Sequence, residues 1–298
     1  MRNAKVLVPL DFSDAGIYAL QASRKVADLF EGSVTPFHSY VPVSDIPGPD
    51  MFGLETVPDS MGNSQEIENI HKEHLQEFAE EHVPVERLTE PIISIGNPSR
   101  TITEAAKDFD IVVMNSHGRS GFSRFFMGSV SEKVLRTTHV PVLIVNKEKQ
   151  LKSINRIMLT TDFSEHSKEA FPVTKQIALK TNAHIELTHI VSFDPSNRDK
   201  PEDSVVTMRR QHLHVLAKEE FYDIGDMLET KLIISSDTPH EAILNENLNN
   251  PHDLVVMATV GRTGIDYLMM GSTTSNVVRH VKSPVLSINP KSKPDADE

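Results

Sequence analysis

The chain has 298 residues, 38% hydrophobic and 24% charged, which is enough for about two globular domains. Its formal net charge of −12 argues against a nonspecific nucleic-acid or anionic-membrane binder, and the absence of cysteine excludes disulfides and thiol catalysis. No stretch approaches the ~18 consecutive apolar residues of a membrane span, and Val6–Leu10 is too short for a signal-peptide core. We therefore expect a cytoplasmic protein with no membrane span and no nucleic-acid partner.

The first half alternates short β-branched runs with longer helical patterns, which indicates βαβ units around a parallel sheet. In chain order, we predict a strand near 5–10, a helix near 14–30, a strand near 33–40, a helix near 65–82, a strand near 88–95, a helix near 98–108, a strand near 110–115, a helix near 129–138 and a strand near 141–146. Asn97-Pro98 predicts an N-cap followed by proline at the first helical position. Residues Pro42–Asn63, rich in proline and glycine, predict a long surface loop.

The second half repeats the first in the same order. Lys5–Asp14 returns as Arg156–Glu165, Val34–Val41 as Ile185–Ser192, Asp110–Gly121 as Asp253–Gly264, and Gly128–Asn146 as Gly271–Asn289. Chance does not produce such an ordered set of matches. The sequence therefore predicts an α/β protein with two tandem domains, 1–147 and 153–290, each an open parallel five-stranded sheet flanked by helices. The polar stretch Lys147–Ser153 joins them.

Three elements of each half are expected at the carboxyl ends of the strands, where α/β sheets bind ligands. In the first half they are Asp11 after strand one, the turn Asn115–Gly118 after strand four, and Gly128-Ser129 at the start of a helix. A helix start binds anions through its N–H groups, whereas a carboxylate suits ribose hydroxyls or a base amino group. A site with one acidic end and one anion-binding end suits a nucleotide. However, Ser129-x-x-Glu132 is also a capping box, and Asp11 could cap the first helix, so a purely structural interpretation stays open.

The spacing of the glycines resembles that of the universal stress protein family. Nucleotide-binding members carry Gly-x-x-Gly, nine residues, and then Gly-Ser or Gly-Thr. The first half matches the end of this pattern with Gly118 and Gly128-Ser129, and the second half with Gly261 and Gly271-Ser272. The V-P-x-D strand end at Val8–Asp11 fits as well. The resemblance covers almost the whole chain as the tandem type, with a Rossmann-like fold of the adenine nucleotide α-hydrolase kind.

That resemblance implies ATP or AMP as ligand, with or without Mg²⁺, and two sets of binding residues. The first set is Pro9, Asp11, Ser39, Met114, Asn115, Gly118, Gly128, Ser129, Val130 and Ser131. The second, expected to be weaker, is Asp162, Ile190, Met257, Gly261, Gly271, Ser272, Thr273 and Thr274.

The second site is expected to be weaker because it departs further from the family pattern. Ala258 replaces the first glycine of the motif, where the first half has Asn115, a residue that tolerates left-handed backbone better than alanine. Asp237-Thr238-Pro239 replaces Gly96-Asn97-Pro98, and the Asp237 carboxylate would repel an anionic ligand. Thr238 to Glu241 also predicts a capping box.

Other interpretations compete with a regulatory nucleotide-binding protein of the stress-response type. The chain could be a pseudo-dimeric scaffold for a protein or another small molecule, or a slow ATPase. No catalytic residues are predicted, since no general base or dedicated magnesium cage is evident. His71 and His74, with Glu73 and Glu77, could bind a metal, but a solvated helix face is the simpler interpretation.

The final strands predict how the halves meet. Val142–Val145 and Val285–Ile288 are apolar, and an exposed apolar edge strand is normally covered. In the family this strand forms the contact between two domains. We therefore predict an internal pseudo-dimer with approximate twofold symmetry and two separate nucleotide clefts, while a further homo-oligomer stays open.

Overall fold

The computed structural model describes residues 2–41, 64–116, 127–193, 202–259 and 270–289. In the first half the strands are β1 Lys5–Pro9, β2 Ser33–Tyr40, β3 Ile92–Ile95, β4 Ile111–Asn115 and β5 Val142–Val145. The helices are α1 Gly16–Phe30, α2 Ser64–Glu80, α3 Pro98–Ala105 and α4 Ser129–Thr137. All nine elements predicted for this half are therefore present, whereas the whole of the predicted surface loop lies outside the described residues.

The predicted third strand is shorter than expected at its amino end. It begins at Ile92, because Pro91 has no N–H to donate to a strand ladder. Upstream, only an isolated bridge joins Leu88 to Val34. Residues 88–91, which were expected to be strand, are therefore a connection between a 3₁₀ turn at Val85–Arg87 and β3.

The second half repeats this order. Its strands are β6 Arg156–Thr160, β7 His184–Ser192, β8 Leu228–Ser235, β9 Leu254–Ala258 and β10 Val285–Ile288. Its helices are α5 Glu165–Lys168, α6 Phe171–Thr181, α7 Asp203–Glu220, α8 Pro239–Asn249 and α9 Ser272–His280. The predicted caps are confirmed: the Asn97 side chain accepts from the Arg100 N–H, and Thr238 and Glu241 form a capping box.

The strands form one ten-stranded sheet in the order β3-β2-β1-β4-β5-β10-β9-β6-β7-β8. The pairs within each half are parallel, and β5 and β10 are antiparallel. The two predicted five-stranded sheets are thus present and are joined through their final strands. Leu143 lies opposite Leu286, its equivalent in the repeat, so the pair marks an approximate twofold axis. The predicted internal pseudo-dimer is confirmed.

Apolar side chains cover both faces of the sheet. Val6, Leu7 and Val8 have no exposed surface, as expected for a parallel strand covered by helices on both sides. The face that carries Leu143 and Leu286 packs against α1, α2, α6 and α7, and its apolar cluster runs through both halves without interruption. The opposite face packs against α3, α4, α8 and α9.

The segment that joins the halves is polar in sequence but partly buried in the structure. Lys149 is 4% exposed and Leu151 is 7% exposed. The Lys149 ammonium donates to the Val278 carbonyl near the end of α9. Nearby, Arg279 of α9 pairs with Glu132 of α4 at 2.9 Å. The joining segment is therefore part of the interface between the halves.

Candidate functional site

A cleft of about 350 Å³ lies at the carboxyl ends of β1, β2 and β4. In the sheet, β1 lies between β2 and β4, so the chain leaves it on one side and returns on the other. This is the topological switch point at which open α/β sheets bind ligands. The structure brings nine of the ten residues predicted for the first site to the walls of this cleft: Pro9, Asp11, Ser39, Met114, Asn115, Gly128, Ser129, Val130 and Ser131. Gly118 lies outside the described residues.

Asp11 occupies a tight turn after β1. Its Oδ1 accepts hydrogen bonds from the backbone N–H of Ser13, at 3.1 Å, and from the Ser13 hydroxyl, at 2.6 Å. Phe12 between them has φ +59°, which is unusual for a bulky side chain. The alternative in which Asp11 caps α1 is wrong, because the N-cap of α1 is Ala15 and no side chain caps it.

The start of α4 forms the opposite wall. Its N-cap is Gly128, and no side-chain hydrogen bond caps it within the described part of the chain. The capping box expected for Ser129 and Glu132 is absent because Ser129 is the first helical residue and Glu132 pairs with Arg279. Gly128 donates its N–H to the Ser116 carbonyl at 2.8 Å, and the Ser131 hydroxyl donates to the Asn115 carbonyl at 2.8 Å. These bonds hold the helix start against the end of β4.

The third wall comes from β2 and the turn before α3. The Ser39 hydroxyl donates to the Gly96 carbonyl at 3.1 Å and accepts from Thr101 at 2.9 Å. Gly96 has φ +138°, a conformation that requires glycine. The sequence prediction did not include six other lining residues: Leu10, Gly16, Phe37, His38, Pro98 and Ile102. The motif Gly96-Asn97-Pro98 signalled one of them, Pro98.

Histidines from α2 pack near this cleft. The His74 ring stacks on Phe12 with centroids 4.7 Å apart, and the His71 ring lies 5.0 Å from that of Tyr40. Phe12 also contacts His38, which lines the cleft. The expected solvated helix face is therefore partly an aromatic cluster. Among the residues that the structure describes, no three His, Asp or Glu side chains are grouped as a metal site requires.

The second half has an equivalent cleft of about 270 Å³. Because β5 and β10 are antiparallel, the carboxyl ends of the strands, and with them the two clefts, lie at opposite sides of the sheet. The described residues that line one cleft do not line the other. This cleft contains seven of the eight residues predicted for the weaker site: Asp162, Ile190, Met257, Gly271, Ser272, Thr273 and Thr274. Gly261 lies outside the described residues.

The hydrogen bonds of the second cleft repeat those of the first. Ser164 donates its N–H and hydroxyl to Asp162, and Thr274 donates to the Ala258 carbonyl at 2.8 Å. Gly271 donates its N–H to the Thr259 carbonyl at 2.7 Å. A Cβ on Gly271 would lie 3.2 Å from that carbonyl oxygen, so this helix start leaves little space for a side chain.

The two clefts differ in a way that the sequence did not predict. The Asp237 carboxylate, expected to repel a ligand, accepts a hydrogen bond from Asn245 at 3.2 Å and does not line the cleft. Instead, Thr160 and Thr161 replace Pro9 and Leu10 on the wall of the second cleft. The second cleft is therefore smaller and more polar than the first.

The model of the universal stress protein family matches residues 3–146 and again residues 153–289. The chain belongs to the universal stress protein family. A universal stress protein E homolog from Haemophilus influenzae is 24% identical over 316 residues, covering 99% of this chain and all of that protein. A universal stress protein from Synechocystis sp. is 26% identical over 181 residues, and the match spans 60% of this chain and 58% of that protein's length.

The fold is shared with a solved structure of the same family. The crystal structure of a universal stress protein from Archaeoglobus fulgidus superposes with a TM-score of 0.67 at 22% identity, covering 97% of this chain and 99% of that one. Within the described ranges, no helix is both long and apolar enough to cross a bilayer.

Proposed function

We propose that this chain is a stress-response regulatory protein of the cytoplasm that binds ATP or AMP in the first cleft, with or without Mg²⁺. The observation that carries the proposal is that one cleft is lined by a carboxylate and by a helix start that no described side chain caps. The helix start suits phosphate, because its N–H groups and the helix dipole attract anions. The Asp11 carboxylate suits ribose hydroxyls, which donate hydrogen bonds.

The remaining walls suit a purine ring. Phe37, Met114 and Val130 offer apolar surface between these two polar ends. A volume of about 350 Å³ lies within the range of roughly 300–1,000 Å³ that is usual for small-molecule sites, and the second cleft, at about 270 Å³, is smaller and has two threonines in place of Pro9 and Leu10. The second cleft is accordingly the weaker site in this proposal.

Calorimetry with ATP and AMP tests the proposal, with Gly128→Val as the decisive variant. The valine side chain would occupy the phosphate position at the start of α4, so we expect affinity to fall by about 100-fold. Gly271→Val places the same change at the equivalent helix start and is the matched control, since it should leave binding to the first cleft intact.

The outcomes separate the alternatives. If the wild-type protein binds neither ATP nor AMP at millimolar concentration, the proposal fails. Mass spectrometry of small molecules released from the purified protein would then identify the ligand of a scaffold. Phosphate release under steady-state conditions detects a slow ATPase, and release that Gly128→Val abolishes would place hydrolysis in the first cleft.

A further inference from the structure

A separate apolar cavity of about 530 Å³ lies between the two halves, on the face of the sheet covered by α1 and α6. Among the described residues, none that lines this cavity also lines a cleft. Side chains from both halves form its walls in pairs that the repeat relates: Leu143 with Leu286, Ile111 with Leu254, and Val26 with Ile177. The cavity therefore lies across the approximate twofold axis.

The joining segment contributes the remaining wall. Leu151, Lys152, Ser153 and Ile154 all line the cavity. Since this segment occurs once, it breaks the symmetry of the paired walls. A cavity built from both halves and their connection exists only when the halves are docked.

The cavity has a further asymmetry between its two helices. Phe30 and Thr181 are equivalent positions, because each precedes a helix C-cap in the left-handed conformation, Glu31 with φ 55° and Asn182 with φ 57°. Phe30 supplies a large apolar side chain on α1. Thr181 supplies a short one on α6, and its hydroxyl already donates to the Ile177 carbonyl at 2.8 Å. The α6 wall therefore lacks the ring that Phe30 supplies on the α1 wall.

The charged residues that line this cavity differ in whether they form ion pairs. Lys25 and Lys152 contribute to its walls and are exposed, and within the described residues neither forms an ion pair. Asp28, the one acidic residue among the described residues of the lining, is near two guanidinium groups, Arg24 at 3.7 Å and Arg87 at 3.5 Å. Two lysines without an ion-pair partner among the described residues thus flank the apolar walls, and the neighbouring carboxylate is paired with two arginines.

We propose that this cavity binds an aliphatic carboxylate, with its chain between α1 and α6 and its head group at Lys25 and Lys152. The apolar walls disfavour a nucleotide, because a base and ribose placed against them would lose hydrogen bonds to water. An alkyl chain gains by leaving water, and its carboxylate stays at the rim with the two ammonium groups.

Titration calorimetry of the full chain with decanoate tests this assignment. We expect saturable one-to-one binding with a Kd below about 1 mM. Thr181→Phe places on α6 the ring that Phe30 supplies on α1, and should abolish decanoate binding while nucleotide binding at the clefts is unchanged. Lys25→Met combined with Lys152→Met should weaken decanoate binding about fivefold and leave 1-decanol binding unchanged.

Each contrary outcome overturns part of the proposal. Failure of the wild-type protein to bind decanoate, or full binding by a folded Thr181→Phe protein, refutes the cavity as the site. Equal weakening of decanoate and decanol by the lysine changes refutes the carboxylate assignment. A diazirine analogue of decanoate provides a test that needs no variant: label must appear on residues 25–30, 151–154 or 173–181, and label confined to other segments refutes the proposal.

Discussion

Replacing Leu143 and Leu286 together by aspartate should separate the two halves. These leucines lie directly opposite each other in the only antiparallel strand pair of the described sheet, and they are 3% and 1% exposed. Both belong to the apolar cluster that runs through both halves. In the docked state, the two new carboxylates would face each other at buried positions, among the apolar walls of the cavity that both leucines line. In separated halves, β5 and β10 become edge strands and water reaches both.

The magnitude follows from three costs. Loss of buried leucine surface costs about 2 kcal/mol per side chain. Burial of each carboxylate without a partner costs several kcal/mol more. Two unit charges ~5 Å apart repel by about 3 kcal/mol at an effective dielectric constant of ~20. Together these costs exceed ~10 kcal/mol, which is comparable to the whole stability of a typical domain. Docking would not survive them.

Limited trypsin digestion and small-angle scattering measure the separation. Lys149 is buried against α9 in the docked protein, so the initial rate of cleavage after it reports undocking, and the radius of gyration should increase. Leu286→Ala and Leu213→Ala are a matched pair, because both leucines are 1% exposed in the same cluster and each change costs about 2–5 kcal/mol. Only Leu286→Ala should accelerate cleavage after Lys149. An unchanged cleavage rate and radius in the double-aspartate protein would refute the assigned interface.

Two further predictions concern buried charges. Burial lowers the pKa of Lys149 to about 8 from 10.5, so the unfolded chain binds more protons between these values, and the free energy of unfolding should rise by up to ~3 kcal/mol from pH 8 to 10.5. Lys149→Met should remove this rise in pH-dependent denaturation, and parallel curves for the two proteins would contradict it. Burial alone would raise the pKa of Glu186, which is 4% exposed, but His252 and Lys231 hold it below 4.5. Glu186→Gln should therefore cost ~2 kcal/mol at pH 7, measured by urea denaturation, and the loss should disappear as the pH falls below the pKa of this carboxyl. The control Glu104→Gln breaks an exposed ion pair and should cost less than ~0.5 kcal/mol, and equal losses for the two changes would contradict the role of burial.

Local patterns in the sequence determined much of the fold. The runs around Val112 and Val255 are apolar without interruption because helices cover both faces of a parallel sheet. The caps at Asn97 and Thr238 were predictable since a capping side chain reaches a backbone group only two or three residues away. The apolar final strands indicated edges that something covers, and the resemblance to the family predicted that β5 and β10 cover each other.

Only the tertiary structure decided which partner a polar side chain takes. Ser129 and Glu132 have the spacing of a capping box, but Glu132 pairs with Arg279, 147 residues away. Asp237 follows a strand as a ligand-facing residue would, yet it bonds to Asn245. A local pattern shows which hydrogen bonds a side chain can reach, whereas the competing partners depend on how distant segments pack.

Burial at the interface likewise required the assembled structure. Lys149 lies in a stretch whose composition is typical of an exposed connection, and it is buried only because α9 packs against it. The cavity between α1 and α6 has the same origin, since its walls come from segments that are far apart in the chain. Hydrophobic periodicity reports which face of one element is covered, but the shape of the space between two elements depends on their relative position, which only the docked halves define.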